Sequence, residues 1–130
     1  MGNAFKKKGI IIRTEEIEVK SEIILNETGK AIYSKLPIKS TVNLWGEEIY
    51  FPIPLEILRS PDAREVVEVG EIGYWPEGSA FCIFFGKTPS SRGDEIRAAS
   101  PVNIFGKIDG DAKVFLGVEG GSQISVTVGK

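Results

Sequence analysis

Hydrophobic and polar residues alternate through much of the chain, a pattern that predicts strands with one buried face. Gly9–Arg13 and Ile17–Leu25 are rich in Ile and Val. The second segment places most of its apolar residues at one parity and Glu or Lys at the other. The polar residues Thr14–Glu16 separate the two segments, so we predict two neighbouring strands near the N-terminus.

Further strands are predicted toward the C-terminus. They are a hairpin Ser40–Phe51 with its turn at Gly46-Glu47, then Val66–Val69, Ile72–Trp75, Pro101–Ile108 and Ser122–Val128. Ala80–Phe85 is apolar at both parities, which is typical of a strand covered on both faces. Gly86–Ser100 is the longest polar stretch and is predicted to be a loop.

One segment has a helical pattern. Asn26 stands in an N-cap position ahead of Glu27–Leu36, and Pro37 ends the segment. Val114–Leu116 favours either one helical turn or a strand. Many short strands separated by Gly and Pro, with a single helix, indicate a mainly β domain that is either a closed barrel or a sandwich.

The length of 130 residues is that of one domain, 1–130, in which residues 1–8 are predicted to be a loose N-terminal tail. Lys and Arg number 16 against 18 Asp and Glu, which argues against a nucleic-acid partner. The sequence has no signal-peptide pattern and no apolar run near the roughly 20 residues of a membrane helix. We therefore expect a cytoplasmic protein without membrane contact.

The chain contains no His, which excludes His-dependent nucleophilic catalysis and His-bearing zinc sites. Its one Cys, Cys82, lies in an apolar run and is predicted to be a buried, unreactive thiol. With no His, one Cys and 4 Asp, few metal-ligand sets remain, and we expect no metal and no cofactor. The many Ile, Glu and Lys residues are compatible with a thermophilic source.

Four segments carry a resemblance to a known family. In chain order they read WGEEIYF (45–51), GEIGYWPEG (70–78), FCIFFGKTP (81–89) and PVNIFGKI (101–108). From about Ile10 to Val128 the chain resembles the small stand-alone cyclophilin-like proteins of archaea and bacteria. The resemblance implies a closed β-barrel of about eight strands with one short helix at an open end. It implies no activity, because the family has none established.

Departures from related patterns limit what carries over. Glu71 stands where the family has Asp, which preserves the charge. The glycine-rich segment with the catalytic arginine of the true cyclophilins, and their paired Gln and His, have no matching stretch here. Prolyl isomerase activity is therefore not carried over residue by residue.

Aromatic residues are the first candidates for a ligand-binding groove. They are Trp45, Tyr50, Tyr74, Trp75, Phe81 and Phe85. Trp75 has the strongest claim, because it precedes a turn and lies at the parity opposite to Tyr74. The alternative is that most of these side chains pack the interior. Glu47 and Glu48 are predicted to lie at a solvated hairpin tip, since adjacent strand residues point to opposite faces.

The polar segment Lys87–Arg97 is the second candidate, because scaffolds often carry function on long loops. Ser90, Arg92 and Arg97 are its predicted polar contacts to a carbonyl or carboxylate, and an ordinary solvated loop is the alternative. Gly86-Lys87-Thr88 is similar to the end of a phosphate loop. We reject that motif, because the required earlier Gly and the following helix are both missing.

Three functions follow as hypotheses. The first is a binding module for a small molecule or an extended peptide at the aromatic groove. The second is a prolyl isomerase, which needs an apolar pocket and one Arg to weaken the amide conjugation, with Arg97 and Phe85 as the candidate pair. The third is a structural or regulatory subunit of a larger assembly. The sequence alone does not identify the ligand, the pathway or the oligomeric state.

Overall fold

A computed structural model describes residues 5–129. The strands are β1 (Lys7–Thr14), β2 (Glu18–Ile24), β3 (Ile38–Thr41), β4 (Asn43–Leu44), β5 (Glu48–Pro52), β6 (Arg64–Val67), β7 (Glu71–Trp75), β8 (Ala80–Phe84), β9 (Ile96–Ile108) and β10 (Gln123–Val128). The helices are α1 (Glu27–Tyr33) and the 3₁₀ helix Ala112–Gly117. A mainly β architecture with one short α-helix is thus confirmed.

The helix α1 begins at the predicted cap. Asn26 Oδ1 accepts a hydrogen bond from Gly29 N at 2.8 Å, which satisfies one of the amides that a helix leaves open at its start. Gly29 is required because a Cβ there would lie 1.8 Å from Ile24 O, where α1 packs against the end of β2. The helix ends at Tyr33, earlier than the predicted Leu36.

The strands form a ten-stranded sheet that is not closed. Its order is β3-β10-β1-β2-β9-β7-β8-β5-β4, with β6 added to β9 outside this path. Ser40 Oγ donates to Pro52 O at 3.4 Å, so β3 comes near β5, yet no strand ladder joins the two ends within residues 5–129. The predicted closed barrel of eight strands is therefore not confirmed.

The part of the sheet formed by β5, β8 and β7 is apolar on both faces. Its inner face contributes to the main core, in which the rings of Phe51 and Phe81 stack 4.9 Å apart. Its outer face belongs to a second, smaller core: Val67, Ala80, Cys82, Phe84, Ile96, Ala98 and Val102. These two cores explain why β8 is apolar at both parities, as the sequence predicted.

The strand β9 begins at Ile96, so Ile96–Ser100 belongs to a strand and not to the predicted loop. The N-terminal half of β9 pairs with β6 and covers the outer face, whereas its C-terminal half pairs with β7 and β2. The loop prediction failed because alanine and serine in 98–100 gave no strand pattern, although tertiary packing against β6 forms one.

The pairing of β6 with β9 contains an irregularity that shapes the site. Arg64 pairs with Val102, and Val66 pairs with Arg97. The segment of β9 between these two pairs is therefore longer than the segment of β6 that it faces. Residues 98–101 consequently loop out of register, as in a β-bulge.

The predicted tail 1–8 is only partly described, because residues 1–4 lie outside the described residues. Lys7 and Lys8 pair with Ile24 and Ile23, so β1 starts within the segment predicted to be loose. No helix in the described part of the chain is long and apolar enough to cross a membrane.

Candidate functional site

A cleft of about 200 Å³ opens at the edge of the second core. It is lined by Trp45, Glu48, Tyr50, Trp75 and Ala99. We call it the aromatic cleft. Three of its five lining residues are aromatic and half-buried, so each ring has one part packed in the protein and another part available to a ligand.

Strand alternation and a tight turn bring three of these side chains together. Glu48 and Tyr50 lie on the outer face of β5, while Ile49 and Phe51 between and after them point into the main core. Trp45 N donates to Glu48 O at 3.0 Å across the turn that joins β4 to β5. The turn therefore sets the Trp45 side chain beside the start of β5.

Two contacts fix the indole of Trp75. Its Nε1 donates to Ser100 Oγ at 2.6 Å, which ties the ring to the looped-out part of β9. Gly78 lies against the ring, because a Cβ at that position would be 2.4 Å from two ring carbons. The orientation of Trp75 thus depends on β9 on one side and on the turn between β7 and β8 on the other.

Glu48 is a buried carboxyl group. The residue is 6% exposed, and its Oε1 has no hydrogen-bond partner among the described residues. The thiol of Cys82 lies beside it on β8, but Sγ donates to Ala80 O at 3.8 Å. Burial raises the pKa of Glu48 to about 7, and the Cys82 thiol opposes this rise in part. Near neutral pH this carboxyl exists in both protonation states.

Cys82 itself is buried, as predicted. Burial raises the pKa of its thiol well above the usual range, and the charge of Glu48 raises it further. A thiol that stays protonated is a poor nucleophile, so Cys82 contributes packing and not covalent chemistry.

The neighbouring carboxyl group, Glu47, has a different environment. Its Oε1 accepts from Lys113 Nζ at 3.2 Å, and both side chains are almost half exposed. The two carboxyl groups do not converge, as the strand alternation predicted. The predicted solvated position is wrong for Glu48, because the outer face of β5 is covered by the second core.

The predicted aromatic candidates divide between two places. Tyr50 and Trp75 line the aromatic cleft together with Trp45. Tyr74 and Phe85 lie in the main core, and the hydroxyl of Tyr74 donates to Leu55 O at 2.7 Å. These two therefore hold the structure together on the opposite face of the sheet from the cleft.

The predicted polar contacts lie in the loop before β9 and at its start, and none of them lines the aromatic cleft. Ser90 and Arg92 donate backbone hydrogen bonds within the loop. Arg97 pairs with Glu95 at 3.0 Å and with Glu65 at 3.1 Å. The amide of Arg92 and the guanidinium of Arg97 lower the pKa of Glu95 to about 2. Arg97 thus joins two carboxylates, and these contacts keep the loop in place.

Glu48 is the residue that the sequence analysis assigned wrongly, and a signal for it was available. It shares parity with Tyr50 in β5, and β5 adjoins a strand that is apolar at both parities. The cover over the outer face of β8 extends to the position on β5 that pairs with Phe84, which is Glu48. An acidic residue there is buried, in spite of the general exposure of Glu.

Other depressions are less suitable as sites. A wider depression, of about 690 Å³, lies between α1 and the segment before β6. Two of its polar residues are already used by the fold: Asn26 caps α1, and Ser60 N donates to Asn103 Oδ1 at 2.9 Å. Within residues 5–129, no three acidic, thiol or imidazole side chains come together as metal ligands would.

Fold and site together define a small, mainly β protein with an aromatic cleft and a buried carboxyl at its wall. The chain belongs to the cyclophilin-like family, whose family model matches residues 8–127. The solution structure of a hypothetical protein from Archaeoglobus fulgidus is similar, with a TM-score of 0.81 and 40% identity over 99% of this chain and 100% of that one. No curated protein matches. The resemblance identified in the sequence is confirmed.

Proposed function

We propose that this protein is a binding module and that the aromatic cleft takes a small molecule or one side chain of an extended peptide. The observation that carries the proposal is the convergence of Trp45, Tyr50 and Trp75 around one opening. Aromatic rings at an opening provide a large apolar contact area at low cost in side-chain entropy.

The size of the cleft limits what it accepts. Its volume of about 200 Å³ is below the roughly 300–1,000 Å³ of pockets that enclose a whole drug-sized ligand. It matches a side chain or a compact head group, while the rest of the ligand lies on the surface. An extended peptide is one such ligand.

Binding can be measured directly, because the only two Trp residues of the chain, Trp45 and Trp75, both line the cleft. In ¹⁵N-labelled protein, the two indole N–H signals report on this site alone. We expect a panel of small molecules and short peptides, including Xaa-Pro peptides, to contain members that shift both signals. If no member shifts either signal, the cleft is not a binding site for these classes.

A matched pair of variants tests the location. Tyr50 lines the cleft, whereas Tyr33 is also half-buried but lies on α1 against the main core. Tyr50→Ala is expected to weaken binding, and Tyr33→Ala is expected to leave it unchanged. Equal weakening in both variants would mean that the effect comes from lost stability and not from a lost contact.

The two other hypotheses have less support. Phe85 is 2% exposed in the main core, and Arg97 is held by Glu65 and Glu95, so this pair does not form one pocket for a prolyl residue. Exchange spectroscopy on the same Xaa-Pro peptides tests isomerisation at any other surface. Co-purification with a second chain would favour the subunit hypothesis.

A further inference from the structure

The aromatic cleft contains a carboxyl group, Glu48, whose charge no residue within 5–129 neutralises when it is ionised. The ion pairs found among the described residues do not include Glu48, although Glu47 beside it has Lys113. A buried carboxylate is costly unless it is paired, and Oε1 lacks even a hydrogen-bond donor. The ionised form of this carboxyl therefore has no counterion within residues 5–129, and a cation from outside the protein would supply one.

The walls of the cleft also favour a positively charged ligand. The faces of aromatic rings carry negative electrostatic potential and attract cations, and Trp does so most strongly. The ring–ring contacts found within residues 5–129 join core phenylalanines, so they do not use the faces of Trp45, Tyr50 or Trp75. The one indole donor whose partner is known, Trp75 Nε1, is already bound to Ser100.

We propose that the aromatic cleft binds an alkylammonium cation, with Glu48 as its counterion and the rings of Trp45, Tyr50 and Trp75 around its apolar substituents. This inference rests on the proposed function, because it names the ligand class of the same cleft. An anion is disfavoured by the carboxylate. A neutral ligand could fill the volume but would leave the charge of Glu48 unpaired.

The binding of a cation is expected to depend on pH. The titratable groups that face Glu48 are the Cys82 thiol on β8 and the Tyr50 hydroxyl on its own strand; Trp45, Trp75 and Ala99 do not titrate. The pKa of Glu48 is about 7. As the pH is raised toward this value, the affinity for a cation should increase by up to about tenfold per pH unit, and above it the affinity should stay constant. Cation binding at lower pH should release a proton.

Choline and 3,3-dimethylbutan-1-ol form a matched pair of probes, because they differ only in a charged nitrogen in place of a neutral carbon. We would titrate each into labelled protein and follow both indole signals at pH 6 and pH 8. At pH 8 we expect choline to bind at least about tenfold more tightly than the alcohol. At pH 6 we expect choline to bind more weakly than it does at pH 8.

Two variants separate the counterion from general effects. Glu48→Gln keeps the size of the side chain but removes its charge. Choline binding should therefore lose its pH dependence and most of its advantage over the alcohol, keeping only what the aromatic rings contribute. Glu47→Gln is the control, because that carboxyl pairs with Lys113 outside the cleft. Unchanged backbone spectra would establish that both variants are folded.

The outcomes distinguish this inference from the proposed function. If the alcohol binds as well as choline and neither depends on pH, the cation inference is wrong and the binding module stands. If Glu48→Gln binds choline as tightly as the unmodified protein, Glu48 is not the counterion and the inference is also wrong. If neither probe shifts an indole signal, the inference fails, and the wider ligand panel decides the proposed function.

Discussion

Replacing Glu48 with Gln tests the electrostatics of the cleft without any ligand. The two side chains have nearly the same shape, but Gln never carries a charge. Glu48 is 6% exposed and unpaired, so ionising its carboxyl group destabilises the folded protein. The variant removes this ionisation and leaves the packing of the second core in place.

The magnitude follows from the pKa of Glu48, which burial raises from 4.5 to about 7. The folded protein therefore holds this proton more tightly than the unfolded chain does. The resulting stabilisation, about 3 kcal/mol, is complete below pH 4.5 and is lost as the pH rises through 7. Between pH 5 and pH 8 the protein should lose about 2.5 kcal/mol relative to the variant.

Urea unfolding of both proteins at the two pH values measures this difference. We expect nearly equal free energies of unfolding at pH 5, and a variant about 2–3 kcal/mol more stable at pH 8. Glu47→Gln, which removes only a half-exposed ion pair, should change stability by less than about 1 kcal/mol at either pH. A Glu48→Gln effect that is the same at pH 5 and pH 8 would refute the argument.

Three other substitutions test single contacts. Gly78→Ala should push the Trp75 ring out of place, because its Cβ would lie 2.4 Å from the ring; we expect a shifted indole signal and weaker ligand binding, and an unchanged signal would contradict this. Asn103→Ala removes a buried amide that hydrogen-bonds to the backbone of Ser60 and Leu58. We expect the free energy of unfolding, measured in urea, to fall by about 2–4 kcal/mol, and proteolysis within residues 55–63 to become faster. Arg97→Ala should leave binding in the aromatic cleft unchanged, because its guanidinium pairs with Glu65 and Glu95 outside the cleft; weaker binding would place the loop in the site.

Local patterns were enough to predict much of the fold. The cap at Asn26 marked the start of α1, and the double parity of Ala80–Phe85 marked a strand with two covered faces. Both features depend on a few neighbouring residues, so a single sequence contains them. Closure of the sheet depends on long-range pairing of its ends, which alternation does not encode.

The site was harder to predict, because it is built from segments that are distant in the chain. Tyr50 and Trp75 were predicted as ligand contacts mainly because they are aromatic, and the structure places both at the wall of the cleft. Ala99 has no distinctive chemistry, and it reaches the cleft because β9 loops out of register. Glu48 was missed because its burial comes from β9 crossing the outer face. The double parity of Ala80–Phe84 indicated such a cover, but only the pairing of β5 with β8 shows that it reaches Glu48.

The looped-out residues 98–101 form part of the cleft wall without taking part in strand pairing, whereas in a regular strand the same residues would do both. A residue added or removed in a paired strand moves every later side chain to the opposite face of the sheet. Residues 98–101 lie between paired stretches of β9, so a change of length there alters the wall of the cleft and leaves the pairing with β7 and β2 as it was. The shape of the cleft can thus change while the sheet that carries it stays the same.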